Sequence, residues 1–293
     1  MKAIQLFRRQ ERDLIRSGRI VLRVNDKFYD FTEELWHHGG PILISALCTR
    51  GWFEPDRFLA WFEEADPPET FPVTDQDILL PPLLPTEVGK ILALGKNFKA
   101  HAEEFGEDVP SEPLYFNKLP ETLRGHGAEI APPRGYEGQL DFEGELAVVI
   151  GRKVERVSVE DAFDCVGGYL VANDLTLRSL QGADRKVGHP WFRAKNFAGA
   201  CPLGPGFVPS HQINPAELEL TTHVNGELRQ EAKMSEMVVS VPQAISYLSH
   251  HMPLHNGDII LMGTPAGVGA LKDGDVVTVE ITEIGSLSTT IRH

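Results

Sequence analysis

The feature that most constrains this chain is the rhythm of its C-terminal two thirds. Short runs of Val, Ile and Leu recur there, and Gly or Pro soon ends each one. Runs at 90–94, 145–150, 168–173, 219–224, 258–262 and 276–281 have strand length and are rich in β-branched residues. Short helices are expected only near 159–163 and 241–250. Many strands with few helices predict an α+β, mainly β domain rather than a doubly wound sheet. No internal repeat or low-complexity tract interrupts the pattern.

Upstream the texture differs. Pro81, Pro82 and Pro85 fall within residues 79–86. Proline removes backbone donors and disfavours helix before it, so this stretch should be extended and link-like. It divides the chain into a small N-terminal α/β accessory domain (1–85) and a larger catalytic domain (86–293). Strands at 19–24 and 27–30 and helices near 41–48 and 55–65 are expected in the smaller part, which contains no cluster of candidate ligands.

Composition narrows the partners. With 28 basic against 42 acidic residues, the formal charge is -14. Nucleic acid and anionic membrane would both be repelled, so neither is expected as a partner. An anionic substrate would need a local positive centre, such as a metal or a few placed Lys and Arg. Cys48, Cys165 and Cys201 fit neither a disulfide framework nor a C-x-x-C pair. The charged first residues do not read as a signal peptide, and no apolar run is long enough to span a membrane. A cytoplasmic location is expected.

Four segments could carry chemistry. In Leu140-Asp141-Phe142-Glu143-Gly144-Glu145, a continuous strand would put Asp141, Glu143 and Glu145 on one face. That face is either solvated or neutralised by a hard divalent cation taking oxygen ligands. Asp174 follows an apolar strand, where it suits either a turn or an oxygen-rich metal site. His101 and Glu104 are three apart and would pair on a helix, as a surface pair or as a braced general base. Gly263-Thr264-Pro265-Ala266-Gly267-Val268-Gly269 follows an apolar strand but is neither a P-loop nor a dinucleotide fingerprint.

In this order, the segments resemble the fumarylacetoacetate hydrolase family. Gly95-x-Asn97-Phe98-x-x-His101-x-x-Glu104 is similar to its G-x-N-Y-x-x-H-x-x-E segment. The run from Asp141 through Gly151 resembles its metal strand. Asn173-Asp174-Leu175-Thr176-x-Arg178-x-x-Gln181 matches the next segment. Trp191-x-x-Ala194-Lys195-x-Phe197, Asn225-Gly226-Glu227-x-x-Gln230 and Gly263-Thr264-Pro265 match later ones. The likeness covers roughly two thirds of the chain, from Ile91 to Ile291.

The resemblance implies a mixed β-sandwich roll, a homodimer, and a Mg²⁺ site that Mn²⁺ or Ca²⁺ can also fill, with Glu143, Glu145 and Asp174 as ligands. It implies that His101 and Glu104 form the catalytic dyad, that Lys195 acts beside the metal, and that Thr264, Gln181 and Arg178 contact the substrate. The implied activity is C–C hydrolysis of a small 2-oxo acid, such as an acylpyruvate, through a metal-stabilised enolate. Decarboxylation of oxaloacetate, isomerisation of a 2-hydroxydienedioate, and sugar-acid dehydration or hydrolysis use the same kind of site. A non-catalytic relative that keeps the metal for structure is the competing class. Several positions depart from the family pattern. Phe98 stands for the usual Tyr, Asn196 for Ser or Thr, and Ser179 for an acid. Leu119 separates Lys118 from Pro120, so Lys118 is not carried over as a substrate contact.

Overall fold

The computed structural model describes residues 4–10, 18–32, 43–49, 62, 64, 66–74, 76–104, 106 and 108–292. A large mixed sheet forms its centre. The principal strands, in chain order, are β1 (Gln5–Arg9), β2 (Arg19–Val24), β3 (Lys27–Asp30), β4 (Ile91–Gly95), β5 (Leu114–Lys118), β6 (Gly144–Ile150), β7 (Val166–Asn173), β8 (Cys201–Pro209) and β9 (Ile259–Leu261). They lie in the order β3-β2-β1-β8-β7-β6-β9-β4-β5. Neighbours are antiparallel except β9 and β4, which run parallel with Ile259 opposite Ile91.

Two apolar layers explain why the central strands read as unbroken hydrophobic runs. Leu146, Val148 and Ile150 of β6 face one core, while Ala147 and Val149 face the other. Tyr169 and Val171 of β7 join the first core, and Leu170 and Ala172 the second. All residues of both strands are buried, so no polar alternation survives. A five-stranded sheet completes the first core with residues such as Leu220, Val277, Val279 and Leu287. This is the mainly β architecture that the strand rhythm predicts.

Gly168 of β7 leaves no room for a side chain against β8. A Cβ on Gly168 would lie 2.3 Å from the Val208 carbonyl oxygen and 2.4 Å from the Phe207 ring. Only glycine fits that position without moving the neighbouring strand.

The N-terminal strands continue the large sheet, because β1 pairs with β8 and sets Leu6 opposite Phe207. Within the proline-rich stretch, Leu79 and Leu80 also pair with β1 instead of running as a free link. Arg8 and Glu87 meet in a fully buried ion pair at 3.3 Å. Arg8 Nε donates to the Pro82 carbonyl (3.2 Å), and the Leu84 amide donates to Glu87 (2.6 Å). These bonds tie β1 to the connection that leads into β4.

The helices are α1 (Ile44–Thr49), α2 (Lys99–Glu104), α3 (Arg178–Lys186), α4 (Phe192–Lys195) and α5 (Val241–His251). α1 and α5 correspond to expected helices, and β2 and β3 to expected strands. The helix expected at 55–65 lies outside the described residues apart from Phe62 and Glu64. The one expected at 159–163 is instead a turn leading into a 3-10 helix at Ala162–Cys165. Ser158 Oγ donates to the Asp161 carboxylate (2.9 Å) and accepts from the Asp161 amide (3.2 Å), a local pattern that favours a turn over a helix. No described helix is long and apolar enough to cross a membrane. Cys48, Cys165 and Cys201 are all free thiols.

Because Leu170 is fully buried against the second core, Leu170→Ala should cost about 2–5 kcal/mol. A urea unfolding midpoint measures the loss. Gly168→Ala should destabilise as well, despite adding only a methyl group.

Candidate active site

The chain crosses from one sheet to another at Glu143. Leu140–Phe142 is a strand of a small three-stranded sheet, whereas Gly144 begins β6. At this crossing the Glu143 amide donates to Asn173 Oδ1 (3.0 Å), and the Asp174 amide donates to the Glu143 carbonyl (2.8 Å). The end of β7 is thereby pinned to the start of β6. Glu143, Glu145 and Asp174 are buried, and one oxygen from each lies within 4.8 Å of the others.

Asp141 does not join them. The expectation of one continuous strand face fails because the strand breaks at Glu143 and its two halves belong to different sheets. Asp141 instead accepts from Arg178 Nε and from Gln139 Nε2, both at 2.7 Å.

Three cations surround the carboxylates. Lys195 Nζ, at the end of α4, lies 2.6 Å from both Glu143 and Asp174. It also sits 4.9 Å over the Phe116 ring. Arg178 at the start of α3 pairs with Glu143 as well as with Asp141 and donates to Gln181 Oε1 (2.6 Å). Lys118 is fully buried, with Nζ 2.6 Å from Asp174 Oδ1 and 2.5 Å from the Lys195 carbonyl oxygen. Lys118 therefore braces the back of the site.

The carboxylates differ sharply in their electrostatics. Burial pushes Glu143 up, but Lys195, Arg178 and His101 outweigh it and hold the group far below the usual carboxylate range. Glu145 is driven well above that range, first by burial and then by Asp174 and Glu143. Its one hydrogen bond comes from the Gly263 amide at 2.7 Å, and among the described residues it forms no ion pair. The backbone at Gly263 has φ +85°, and a Cβ there would lie 2.8 Å from Asn97. Glycine thus lets the backbone come close enough to donate.

A buried carboxylate with no matching cation beside two others is what a hard divalent ion would relieve. The all-oxygen donor set fits such an ion, and Glu143, Glu145 and Asp174 form a divalent-metal site.

His101 and Glu104, the expected dyad, lie on α2, and His101 lines the cavity beside this site. His101 Nδ1 lies 3.3 Å from Glu104 Oε2, and Glu104 Oε1 accepts from the Gly267 amide at 3.1 Å. Burial lowers the His101 pKa despite the pull of Glu143 and Glu104, so its ring is neutral near neutral pH. A cavity of about 250 Å³ opens beside these groups, and its lining includes His101, Glu143, Glu145, Arg178, Lys195 and Thr264. Gln181 lines it too, with Lys96 and Arg185 as further cations and Phe116 and Trp191 as an aromatic wall. The nine residues singled out from the sequence thus converge on one place. Sequence reasoning left out Lys118 because of the inserted Leu119, and it assigned no role to Gln230, which is described below.

A model of the fumarylacetoacetate (FAA) hydrolase C-terminal domain matches residues 90–292, and the chain belongs to the fumarylacetoacetate hydrolase family. It is similar to the oxaloacetate tautomerase YisK of Bacillus subtilis, 42% identical over 218 residues, 71% of each protein. A fumarylacetoacetate hydrolase from psychrophilic Exiguobacterium antarcticum superposes with TM-score 0.82 at 32% identity, covering 99% of both chains. A fumarylpyruvate hydrolase from Pseudomonas aeruginosa, in complex with Mn²⁺ and pyruvate, superposes with TM-score 0.67 at 33% identity, covering 76% of this chain and 94% of that one. The protein is an enzyme of this family with a buried acidic metal site.

Mn²⁺ or Mg²⁺ at a hundred times its dissociation constant should stabilise the protein by about 2.7 kcal/mol, read as a rise in Tm. Glu145→Ala should abolish most of that rise. A proton on Glu145 competes with the cation, and its pKa is raised. Metal affinity should therefore strengthen as pH rises toward that pKa and fall as pH drops, as metal titrations across mildly acidic to mildly alkaline buffers would show.

Proposed function

We propose that this enzyme moves a proton between carbon and oxygen of a short 2-oxo diacid, interconverting the keto and enol forms of an oxaloacetate-like substrate. The observation that carries this reading is one neutral, carboxylate-braced histidine facing a three-carboxylate metal site across a cavity of about 250 Å³. Glu143, Glu145 and Asp174 would hold Mg²⁺ or Mn²⁺, which when bound supplies a Lewis-acid centre for the substrate's carboxylate and 2-oxo oxygens.

The chain's own residues then divide the work. A carboxylate only accepts hydrogen bonds, so Glu104 keeps the proton on His101 Nδ1 and leaves Nε2 as the basic nitrogen. Toward the enol, Nε2 takes the proton from the carbon beside the carbonyl and a proton is delivered to the 2-oxo oxygen; toward the keto form the O–H proton is lost and Nε2 returns one to carbon, so the exchange consumes nothing. Lys195 Nζ, held by Glu143 and Asp174, offsets negative charge developing on the substrate oxygen. Arg178 is bound to Asp141 and Glu143, so its contribution is to hold the wall of the site and orient Gln181. Residues 1–85 serve as an accessory segment to the catalytic part at 86–293, in a homodimer. The similarity to an oxaloacetate tautomerase over 71% of each protein supports the leading reading.

The likeness to a fumarylpyruvate hydrolase favours a second reading, acylpyruvate hydrolysis. There Nε2 of His101 would take a proton from water as its oxygen attacks the distal carbonyl; the C–C bond then breaks, giving a carboxylic acid and a pyruvate enolate that takes up the proton and leaves as pyruvate. The two readings separate in one assay: with Mn²⁺ present, enol loss from oxaloacetate is followed by ultraviolet absorbance, and pyruvate release from acylpyruvates is followed in parallel. Rapid enol loss without pyruvate release establishes the tautomerase, and pyruvate release from an acylpyruvate the hydrolase. Activity on neither substrate rejects both.

His101→Ala should lower kcat by about 10²–10⁴-fold while the metal-induced rise in Tm remains. Activity in the parent should persist below the ordinary histidine pKa and fall only as pH drops through the lowered value of His101, because the protonated ring cannot act as a base. A kcat–pH profile checks this.

A further inference from the structure

Gln230 lies in the strand Glu227–Lys233, outside the metal cluster and the dyad, yet it is 1% exposed and makes three bonds around the site. Its Oε1 accepts from the Gly144 amide at 3.1 Å. Its Nε2 donates to the Pro265 carbonyl at 2.8 Å and to Thr264 Oγ1 at 2.7 Å. The orientation of the amide is set by chemistry, since a backbone amide can only donate and a proline carbonyl can only accept. Gly144 must face the oxygen and Pro265 the nitrogen. The second hydrogen of Nε2 is then aimed at Thr264, whose hydroxyl oxygen has to accept it.

A threonine hydroxyl carries one hydrogen. With its oxygen accepting from Gln230, that hydrogen is turned away from Gln230. Thr264 lines the cavity, and among the described residues nothing accepts from its hydroxyl. We infer that Gln230 is a positioning residue that fixes Thr264 as a hydrogen-bond donor into the cavity, so that this corner takes an acceptor oxygen of the substrate. The inference deepens the 2-oxo acid reading and rests on it. It adds that specificity for a carboxylate or 2-oxo oxygen at this corner is set from the distal sheet. The same side chain also holds Gly144, where the chain enters β6, so the Thr264 corner and the metal strand share one support.

The test uses the Mn²⁺-loaded full chain with pyruvate as the probe, by calorimetric titration. Thr264→Val and Gln230→Met should each weaken pyruvate binding about tenfold, whereas Thr264→Ser should bind as the parent does. Gln230→Met in the Thr264→Val background should add less than about a further twofold, because Gln230 acts through the missing hydroxyl. Each variant is titrated at saturating Mn²⁺, so that loosening of the metal strand through Gly144 is not read as lost pyruvate binding. Additive losses in the double variant, or parent-like binding by Gln230→Met, would overturn the inference. If Gln230→Met does not fold, Thr264→Val decides: parent-like binding there shows that the hydroxyl donates nothing, and loss there with Thr264→Ser retained supports the donor. A parent that binds Mn²⁺ but no pyruvate would instead overturn the 2-oxo acid reading, and this inference with it. That failure is distinct, because no variant is needed to see it.

Discussion

Burial of three carboxylates within 4.8 Å of one another is the constraint on which the rest of this structure turns. Two unit charges 4 Å apart repel by about 4 kcal/mol even at an effective dielectric of 20. The repulsion is met by cations from three separate segments: Lys118 at the end of β5, Arg178 at the start of α3 and Lys195 at the end of α4. Each contact that relieves the site also fastens its segment to β6 and β7. Stability and site geometry are therefore the same set of bonds, and the unmatched charge at Glu145 is what remains for a cation.

That arrangement needs a rigid floor. β6 and β7 are buried on both faces, so neither strand can shift in register without exposing apolar side chains or burying polar ones. Glu143 and Asp174 lie just outside the ends of these strands, and Glu145 is the second residue of β6, paired opposite Ala172. His101, the proposed base, lies on the short helix α2, anchored through Asn97, which donates to the carbonyls of Val239 and Met262 and accepts from the Val239 amide. A rigid metal floor and a separately anchored His101 thus meet across one cavity, although they come from distant parts of the chain.

Some elements could be read directly from residue order, and others were hidden for identifiable reasons. The apolar runs that became β4, β6, β7 and β9 were legible because each packs between two cores and leaves an unbroken signal. β8 was not, because Pro202, Gly204, Pro205, Gly206 and Pro209 punctuate it and carry low strand propensity. The strand Glu227–Lys233 was hidden for the opposite reason, since as an edge strand it is mostly charged and exposed. α3 carries Gly182 and four charged residues and shows no clean apolar stripe. In the site, the resemblance named Glu143, Glu145 and Asp174, which the structure brings together as a metal site, and His101, Glu104 and Lys195, which lie beside it. The grouping of Asp141 with them did not hold, because strand alternation cannot reveal where a strand breaks.

The sequence by itself determined the mainly β class and the need for a local positive centre in an acidic protein, while the candidate site residues were named as a site only by family resemblance. The first two follow from local rules: hydrophobic period, turn residues and the charge of individual side chains. Only the tertiary structure decided which charges neutralise one another, that Lys118 supports Asp174 from behind, that Glu145 forms no ion pair among the described residues, and that Gln230 reaches Thr264. Those outcomes depend on contacts between residues tens to more than a hundred positions apart. Pairing at such distances is set by the packing of sheets and helices, and no period along the chain encodes it.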